Sequence, residues 1–299
     1  MSVRRWAVPD GYRLSVSLGR LPFSRYDPCA RFVDGTFWWA ARTPAGPGTL
    51  ALRRDGGTLL AEAFGAGAGW LLANADAVAG LRDDPTGFAG LAAAHPLVAR
   101  LARRYAAVRL PATGLVFPRL LRAVCEQKVT GTEAYRAYAA TVRHFGEPAP
   151  GPARLLLPPD PAAVAGTPYW TFHRFGLEQR RATTLTRAAA VADRLQSCPD
   201  AARAAARLRA VPGVGPWTVA EVCHTVYGDA DAVSVGDYHL KNTVGWALAG
   251  EPRATDARML ELLAPFAGHR GRVCTLLGHA GAAAPRYGPR APVRAFAAF

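Results

Sequence analysis

At 299 residues the chain is long enough to bury sizeable cores and to divide into two or three subdomains, which excludes a peptide or a single small module. Lys and Arg number 36 against 22 Asp and Glu, and the resulting formal charge of +14 points to a polyanionic partner. Five cysteines, at positions 29, 125, 198, 223 and 274, are odd in number and form no Cys-x-x-Cys pair, so neither a zinc site nor a disulfide framework is indicated.

Residues 12–18, Tyr-Arg-Leu-Ser-Val-Ser-Leu, alternate apolar and polar, which predicts a half-buried strand. A second apolar run lies at Thr36-Phe37-Trp38-Trp39. Segments Thr49–Arg54 and Thr58–Phe64 flank Asp55-Gly56-Gly57 and read as a hairpin, and Trp70–Val78 reads as a helix. These elements define a small α/β subdomain with an antiparallel sheet over 1–88. After Asp83-Asp84-Pro85 the pattern turns helical to near the end, so the fold class is α+β. Leu97, Leu101, Ala102 and Tyr105 recur at helical spacing. Pro118 opens the next predicted helix, with Leu120, Leu121, Val124 and Cys125 on one face, and Gly131 interrupts it. Another helix carries Tyr135, Tyr138, Ala139 and Val142 before Gly146. Residues 147–168 are rich in proline and predict a linker-like crossing with short turns. A helix follows from Phe175-Gly176-Leu177 through Arg194. The tail 282–299 mixes Pro285, Pro289 and Pro292 with Arg286, Arg290 and Arg294 and reads as basic and flexible.

Residues 201–210 are Ala, Arg and Leu, a strong helix-forming composition. Val211-Pro212-Gly213-Val214-Gly215 breaks that helix, with two glycines free to take positive φ, and Pro216 suits the first turn of a new one. At such a hairpin the N–H groups of Val214, Gly215 and the opening helix converge beside a positive dipole end, a place for a phosphate. The other reading of Pro-Gly-Val-Gly alone is an ordinary turn between helices.

The run Val211-Pro-Gly-Val-Gly-Pro-Trp-Thr-Val219, followed by Val233-Ser-Val-Gly-Asp-Tyr238, resembles the helix-hairpin-helix-Gly/Pro-Asp DNA glycosylase superfamily, and within it the 3-methyladenine DNA glycosylase II (AlkA-type) branch. The resemblance implies a bilobed all-helical body, with a first lobe over 89–111 plus 232–281 and a second lobe with the helix-hairpin-helix over 112–231. It implies that Asp237 is catalytic, that Val211, Gly213, Val214, Gly215 and Thr218 grip the DNA backbone, and that Na+ or K+ binds at the backbone of Val211 and Val214. No iron–sulfur cluster is expected, because the four-cysteine C-terminal cluster is absent. Glu126-Gln127-Lys128-Val129 coincides with the segment that fills the gap left by an extruded nucleotide. Gln127 and Lys128 are therefore candidate DNA contacts, although an ammonium ion departs from the pattern and Lys128 also reads as a solvated surface residue. The implied partner is double-stranded DNA containing a damaged base. A monomer is expected in a reducing, bacterial, nucleoid-associated cytoplasm, with no membrane association, since no apolar run has the length of a signal peptide or a span.

Cleavage of an N-glycosidic bond leaves positive charge on the sugar, which a nearby carboxylate stabilises. Asp237 fits that role and also suits an N-cap for the residues that follow it. Trp217 reads either as an aromatic wall for the extruded base or as core packing behind the hairpin. Glu221, where the branch has an aromatic, and Tyr238 complete the candidate base pocket. Strand cleavage needs an amine for a Schiff base. The family's lysine position is Trp217 here, and the only lysines are Lys128 and Lys241. The expectation is a monofunctional enzyme that releases a damaged base, an alkylated purine, and leaves an abasic site. The alternatives are a non-catalytic binder of abasic or distorted DNA and a bifunctional enzyme using Lys241. Lys241 is also a candidate DNA contact. Glu126, Glu221, His239 and His279 each read either as touching the pocket or as satisfied structural groups, and for catalysis the structural reading is the expectation.

Overall fold

A computed structural model of the chain describes residues 3–285. Strands β1 (Val3–Ala7), β2 (Ala30–Val33), β3 (Thr36–Thr43), β4 (Gly46–Asp55) and β5 (Thr58–Phe64) form one antiparallel sheet in the order β1-β5-β4-β3-β2. The register sets Leu52 between Phe37 and Ala61, and Leu50 between Trp39 and Ala63. All six face one core with helices α1 (Leu14–Leu18) and α2 (Ala68–Val78). This is the period-two alternation of a half-buried sheet. On the opposite face Ala40 packs with Leu155 and Leu157 from the proline-rich crossing, which is closed by an antiparallel bridge between Pro148 and Leu156.

The remaining helices are α3 (Phe88–Ala92), α4 (Pro96–Arg104), α5 (Val116–Glu126), α6 (Gly131–Phe145), α7 (Pro161–Ala165), α8 (Gln179–Ala190), α9 (Ala192–Gln196), α10 (Ala201–Arg209), α11 (Pro216–Val226), α12 (Leu240–Ala249), α13 (Asp256–Leu263) and α14 (Arg270–His279). They enclose two separate cores. One draws on α5, α6 and α8 to α11, with Leu120, Leu185, Leu208 and Val222 at its centre. The other draws on α3, α4 and α12 to α14, with Phe88, Leu101, Val244, Met259 and Leu277. The last buried residue of the first core is Val226 on α11, Val233 and Val235 of the loop that follows pack against the second, and the next buried residue of that second core is Val244 on α12. Asp237 therefore lies on the connection between them. No helix among the described residues is long and apolar enough to cross a membrane.

Several local expectations are corrected. Residues 12–18 do not form a strand, because Leu14–Leu18 is helical. Leu14 and Leu18 stand four apart and so satisfy a helical period as well as an alternating one, and both are buried. The strands β1 and β2, which the sequence reading did not find, are the two sheet edges. An edge has less burial to impose a pattern, and β1 is exposed apart from Trp6. Gly131 opens α6 instead of interrupting a helix, behind a Thr130–Glu133 capping box. Helix α5 begins at Val116, ahead of Pro118. The crossing 147–168 contains α7, capped by Asp160 with Pro161 in its first turn. The helix foreseen through Arg194 breaks at Val191 into α8 and α9. Most of the expected flexible tail, 286–299, lies outside the described residues.

A buried ion pair ties α14 to the loop after α2. Arg272 donates to Asp83 at 2.5 and 3.0 Å, and both side chains are less than 5 % accessible. The Asp83 carboxylate also accepts the Leu110 N–H at 3.0 Å. Removing one partner of such a pair strands the other without water. Asp83→Ala is expected to lower the unfolding free energy in urea by about 3–5 kcal/mol; a loss below about 1 kcal/mol would show that the pair holds nothing.

Candidate active site

The turn between α10 and α11 is built by backbone bonds and two valines. Val211 N–H donates to the Leu208 carbonyl and Val214 N–H to the Val211 carbonyl, each at 3.0 Å. The side chains of Val211 and Val214 are buried in the core below, which pins the turn at both ends. Gly213 has φ +98°, and a Cβ there would stand 2.0 Å from Thr184 Oγ1 on α8. Gly215 differs from expectation, with φ −98° and ψ 179°, ordinary extended backbone at the N-cap of α11. Its missing side chain leaves open space at the helix terminus, since a Cβ there meets nothing within 4 Å. Pro216 occupies the first turn as foreseen.

The Val214 N–H, expected to face a phosphate, is instead spent within the turn, and Gln127 and Thr218, also matched to DNA contacts, are bonded to one another. Gln127 Nε2 donates to the Gly213 carbonyl at 3.1 Å and to Thr218 Oγ1 at 3.0 Å. Thr218 is buried, so its hydroxyl braces the loop after α5 and offers no exposed contact. Lys128 is exposed, at φ +54°, a left-handed conformation that is uncommon for a side-chain-bearing residue. Beside the turn runs a groove of about 550 Å³ lined by Arg180, Thr183, Arg187, Pro212 and Gly213 among others. Glu178 on its rim is paired with the buried Arg181 at 2.5 Å.

Asp237 is half-buried, and hydrogen bonds hold both its oxygens. Oδ1 accepts from the N–H groups of His239 at 2.7 Å and Leu240 at 2.8 Å, at the entry to α12. Oδ2 accepts from the Trp217 indole Nε1–H at 3.1 Å. The carboxylate thus caps one helix and bridges to another that belongs to a different core. Trp217 lies outside the hydrophobic clusters and is only partly buried, so core packing does not describe it. The amide of the preceding Gly236 donates to Asp256 Oδ1 at 3.1 Å, and Asp256 also pairs with Lys241 at 3.7 Å. Lys241 therefore supports the Asp237 loop through Asp256.

Glu221 follows Trp217 by one turn of α11 and is held by Arg119, which donates to Glu221 Oε2, to Glu126 Oε2 at 3.2 Å and to Thr225 Oγ1 at 3.3 Å. Ser234 Oγ donates to Glu221 Oε1 at 2.5 Å. Burial pushes the Glu221 carboxyl up, but the Arg119 guanidinium and the Ser234 hydroxyl outweigh it and hold the group below the usual carboxylate range. Glu221 is thus an ionised anchor between α5, α11 and the Asp237 loop. Tyr238, expected in the pocket, is 80 % exposed with its ring edge-on to His239. Glu126 is a structural ion-pair partner of Arg119 and Arg122, and His279 packs against Tyr105. Burial, aided by the charge of Arg20, lowers the His279 pKa. Arg119 and Asp256 belong to no motif, and Ser234 stands within the Val233–Tyr238 run without having been given a role. The one signal was Arg119, a charge on the otherwise apolar face of α5. Among the described residues no group of three or more His, Cys, Asp or Glu side chains could hold a metal ion.

No protein-family model matches the sequence, and no curated protein matches it. Solved structures do. The chain superposes on the 3-methyladenine DNA glycosylase from Archaeoglobus fulgidus with a TM-score of 0.77 at 15% identity, over 92% of this chain and 98% of that one. It superposes on the Clostridium acetobutylicum 8-oxoguanine glycosylase/lyase, in complex with double-stranded DNA containing cytosine opposite the lesion, with a TM-score of 0.71 at 11% identity, over 94% and 97%. The chain has the fold of the helix-hairpin-helix DNA glycosylases.

The two hairpin glycines respond differently to substitution. Gly213→Ala places a methyl on Thr184 at a left-handed φ, and an unfolding free energy lower by about 1–3 kcal/mol is expected. Gly215→Ala should lie within about 0.5 kcal/mol of wild type. Thermal and urea unfolding of the pair check the assignment, which equal losses would contradict.

Proposed function

We propose that the chain is a monofunctional DNA glycosylase that extrudes a damaged base, an alkylated purine, from duplex DNA and hydrolyses its N-glycosidic bond. The observation that carries this reading is the Asp237 carboxylate, half-buried and held from two sides, on the connection between two helical cores and within reach of the hairpin helix. The fold shared with solved glycosylases supports it, and the positive surplus supplies the attraction to duplex DNA.

In the proposed reaction Asp237 faces the sugar as the bond to the base lengthens and charge spreads over C1′ and O4′. Two unit charges about 4 Å apart at an effective dielectric of ~20 attract by about 4 kcal/mol, roughly a thousandfold in rate. Trp217 fixes the carboxylate so that little reorganisation is needed during the reaction. N-alkylation of a purine places positive charge on the base, which makes it a better leaving group. A lyase step finds no amine at the hairpin, where Trp217 stands, and Lys241 is paired with Asp256. On the DNA side, the open N-terminus of α11 at Gly215 receives a phosphate and the groove with Arg180 and Arg187 continues the path. A monovalent cation suits this turn, because the Val214 carbonyl accepts no hydrogen bond among the described residues and the Val211 carbonyl keeps a second lone pair. Bound Na+ or K+ would add positive charge facing the phosphate.

Wild-type protein incubated with an alkylated duplex should generate abasic sites, and Asp237→Asn should slow release by about a hundredfold or more. Equal rates would end the assignment. Tight binding to abasic duplex with no base released by wild type would favour a non-catalytic binder instead. Borohydride should trap no covalent adduct, and an adduct lost in Lys241→Ala would establish the lyase route. Gly215→Asp should weaken binding to every duplex about equally; an altered lesion preference at unchanged affinity would contradict the phosphate grip.

A further inference from the structure

We propose that Ser234 and Glu221 form a second latch that holds the Asp237 loop against α11, which makes both positioning residues for base release; the proposal rests on the role given to Asp237 above. Trp217 and Glu221 stand four residues apart on α11 and so share one face, a helical turn from each other. Each meets the same loop. Trp217 donates to Asp237 at 3.1 Å, and Glu221 accepts from Ser234 at 2.5 Å. The Ser234 carbonyl in turn accepts the Asp237 N–H at 3.1 Å, so the residue gripped by Glu221 is the one from which Asp237 hangs. Glu221 is itself immobilised by Arg119, whose guanidinium is buried and bonded to three side chains.

The Gly236–Asp256 bond ties the loop to its own lobe, and against α11 one hydrogen bond would let it pivot, whereas two bonds a helical turn apart fix its direction on that helix. Residues 231–237 are partly buried or exposed, and the next residue, Tyr238, is 80 % exposed. Val233 and Val235 pack against the second core as partly buried side chains, so the placement of the loop against α11 is left to its hydrogen bonds. Loss of a single neutral hydrogen bond changes stability by only about 1 kcal/mol. Displacement of a catalytic group by about 1 Å costs on the order of a hundredfold in rate. The latch thus matters to the reaction far more than to the fold.

Ser234→Ala removes the latch and leaves the Arg119–Glu221 pair intact, while Ser234→Thr keeps the hydroxyl. On a duplex carrying an N-alkylated purine, Ser234→Ala should lower the single-turnover rate by about tenfold or more without changing affinity for the duplex, and Ser234→Thr should stay within about threefold of wild type. A second readout needs no activity. Trp217→Phe identifies the Trp217 indole N–H among the 7 tryptophans in a nitrogen-15 correlation spectrum. In Ser234→Ala that resonance should shift and exchange faster with water. A rate equal to wild type, equal losses in the Ala and Thr variants, or an unshifted and equally protected indole would overturn the latch. If wild type releases no base, the proposed function fails, and the indole resonance still decides whether the latch exists.

Discussion

A single carboxylate joins the two helical cores at the place where chemistry is proposed. Asp237 accepts from the opening amides of α12 on one side and from the indole of α11 on the other. Those helices belong to cores that share no buried side chain. A capping aspartate usually looks only to its own helix. Here the second oxygen is claimed by the opposite lobe, so the relative placement of the two lobes determines where the carboxylate points. This makes the geometry of the site depend on the packing of both cores, and a small shift between them is felt first at Asp237.

The arginine-rich composition takes on a different meaning in the structure. Arg119, Arg181 and Arg272 are buried, and each is bonded to more than one partner. Arg181 reaches Glu178 at 2.5 Å, the Cys125 carbonyl at 2.8 Å and the Gly176 carbonyl at 2.9 Å. Arg272 is bidentate to Asp83. A planar fork with donors in fixed directions can satisfy separated acceptors at once, and a lysine ammonium at the end of a flexible stem cannot do so with the same geometry. At these positions the preference for arginine over lysine follows from burial, and these charges are withdrawn from the surface that would face DNA.

The sequence was most legible where local chemistry forces the backbone. Pro216 in the first turn of α11, the hairpin between β4 and β5 and the apolar face of α5 all lie where their residues demand. The motif singled out Asp237 and Trp217 but left the link between them invisible, because a hydrogen bond between residues twenty apart depends on how two cores dock. Gln127 shows the same limit from the other side. Its place in the motif suggested an outward contact, yet the amide satisfies the Gly213 carbonyl and a buried Thr218, groups that require a partner once they are out of water. Residues 12–18 failed for a local reason, since in so short a segment two leucines four apart fit both periods.

An indole at the head of α11, where the family resemblance implies a lysine in strand-cleaving members, bears directly on the proposed chemistry. A lysine there would present a nucleophile to C1′ and an adjustable charge to Asp237. Trp217 presents one N–H donor with no proton to lose at physiological pH and a rigid ring that limits where the carboxylate can move. In the proposed reaction the nucleophile then comes from water. The protein's contribution is then reduced to holding one carboxylate still and keeping its surroundings in place. Glu221 is consistent with that division, because an ionised residue pinned by Arg119 supports the loop without itself competing for the sugar.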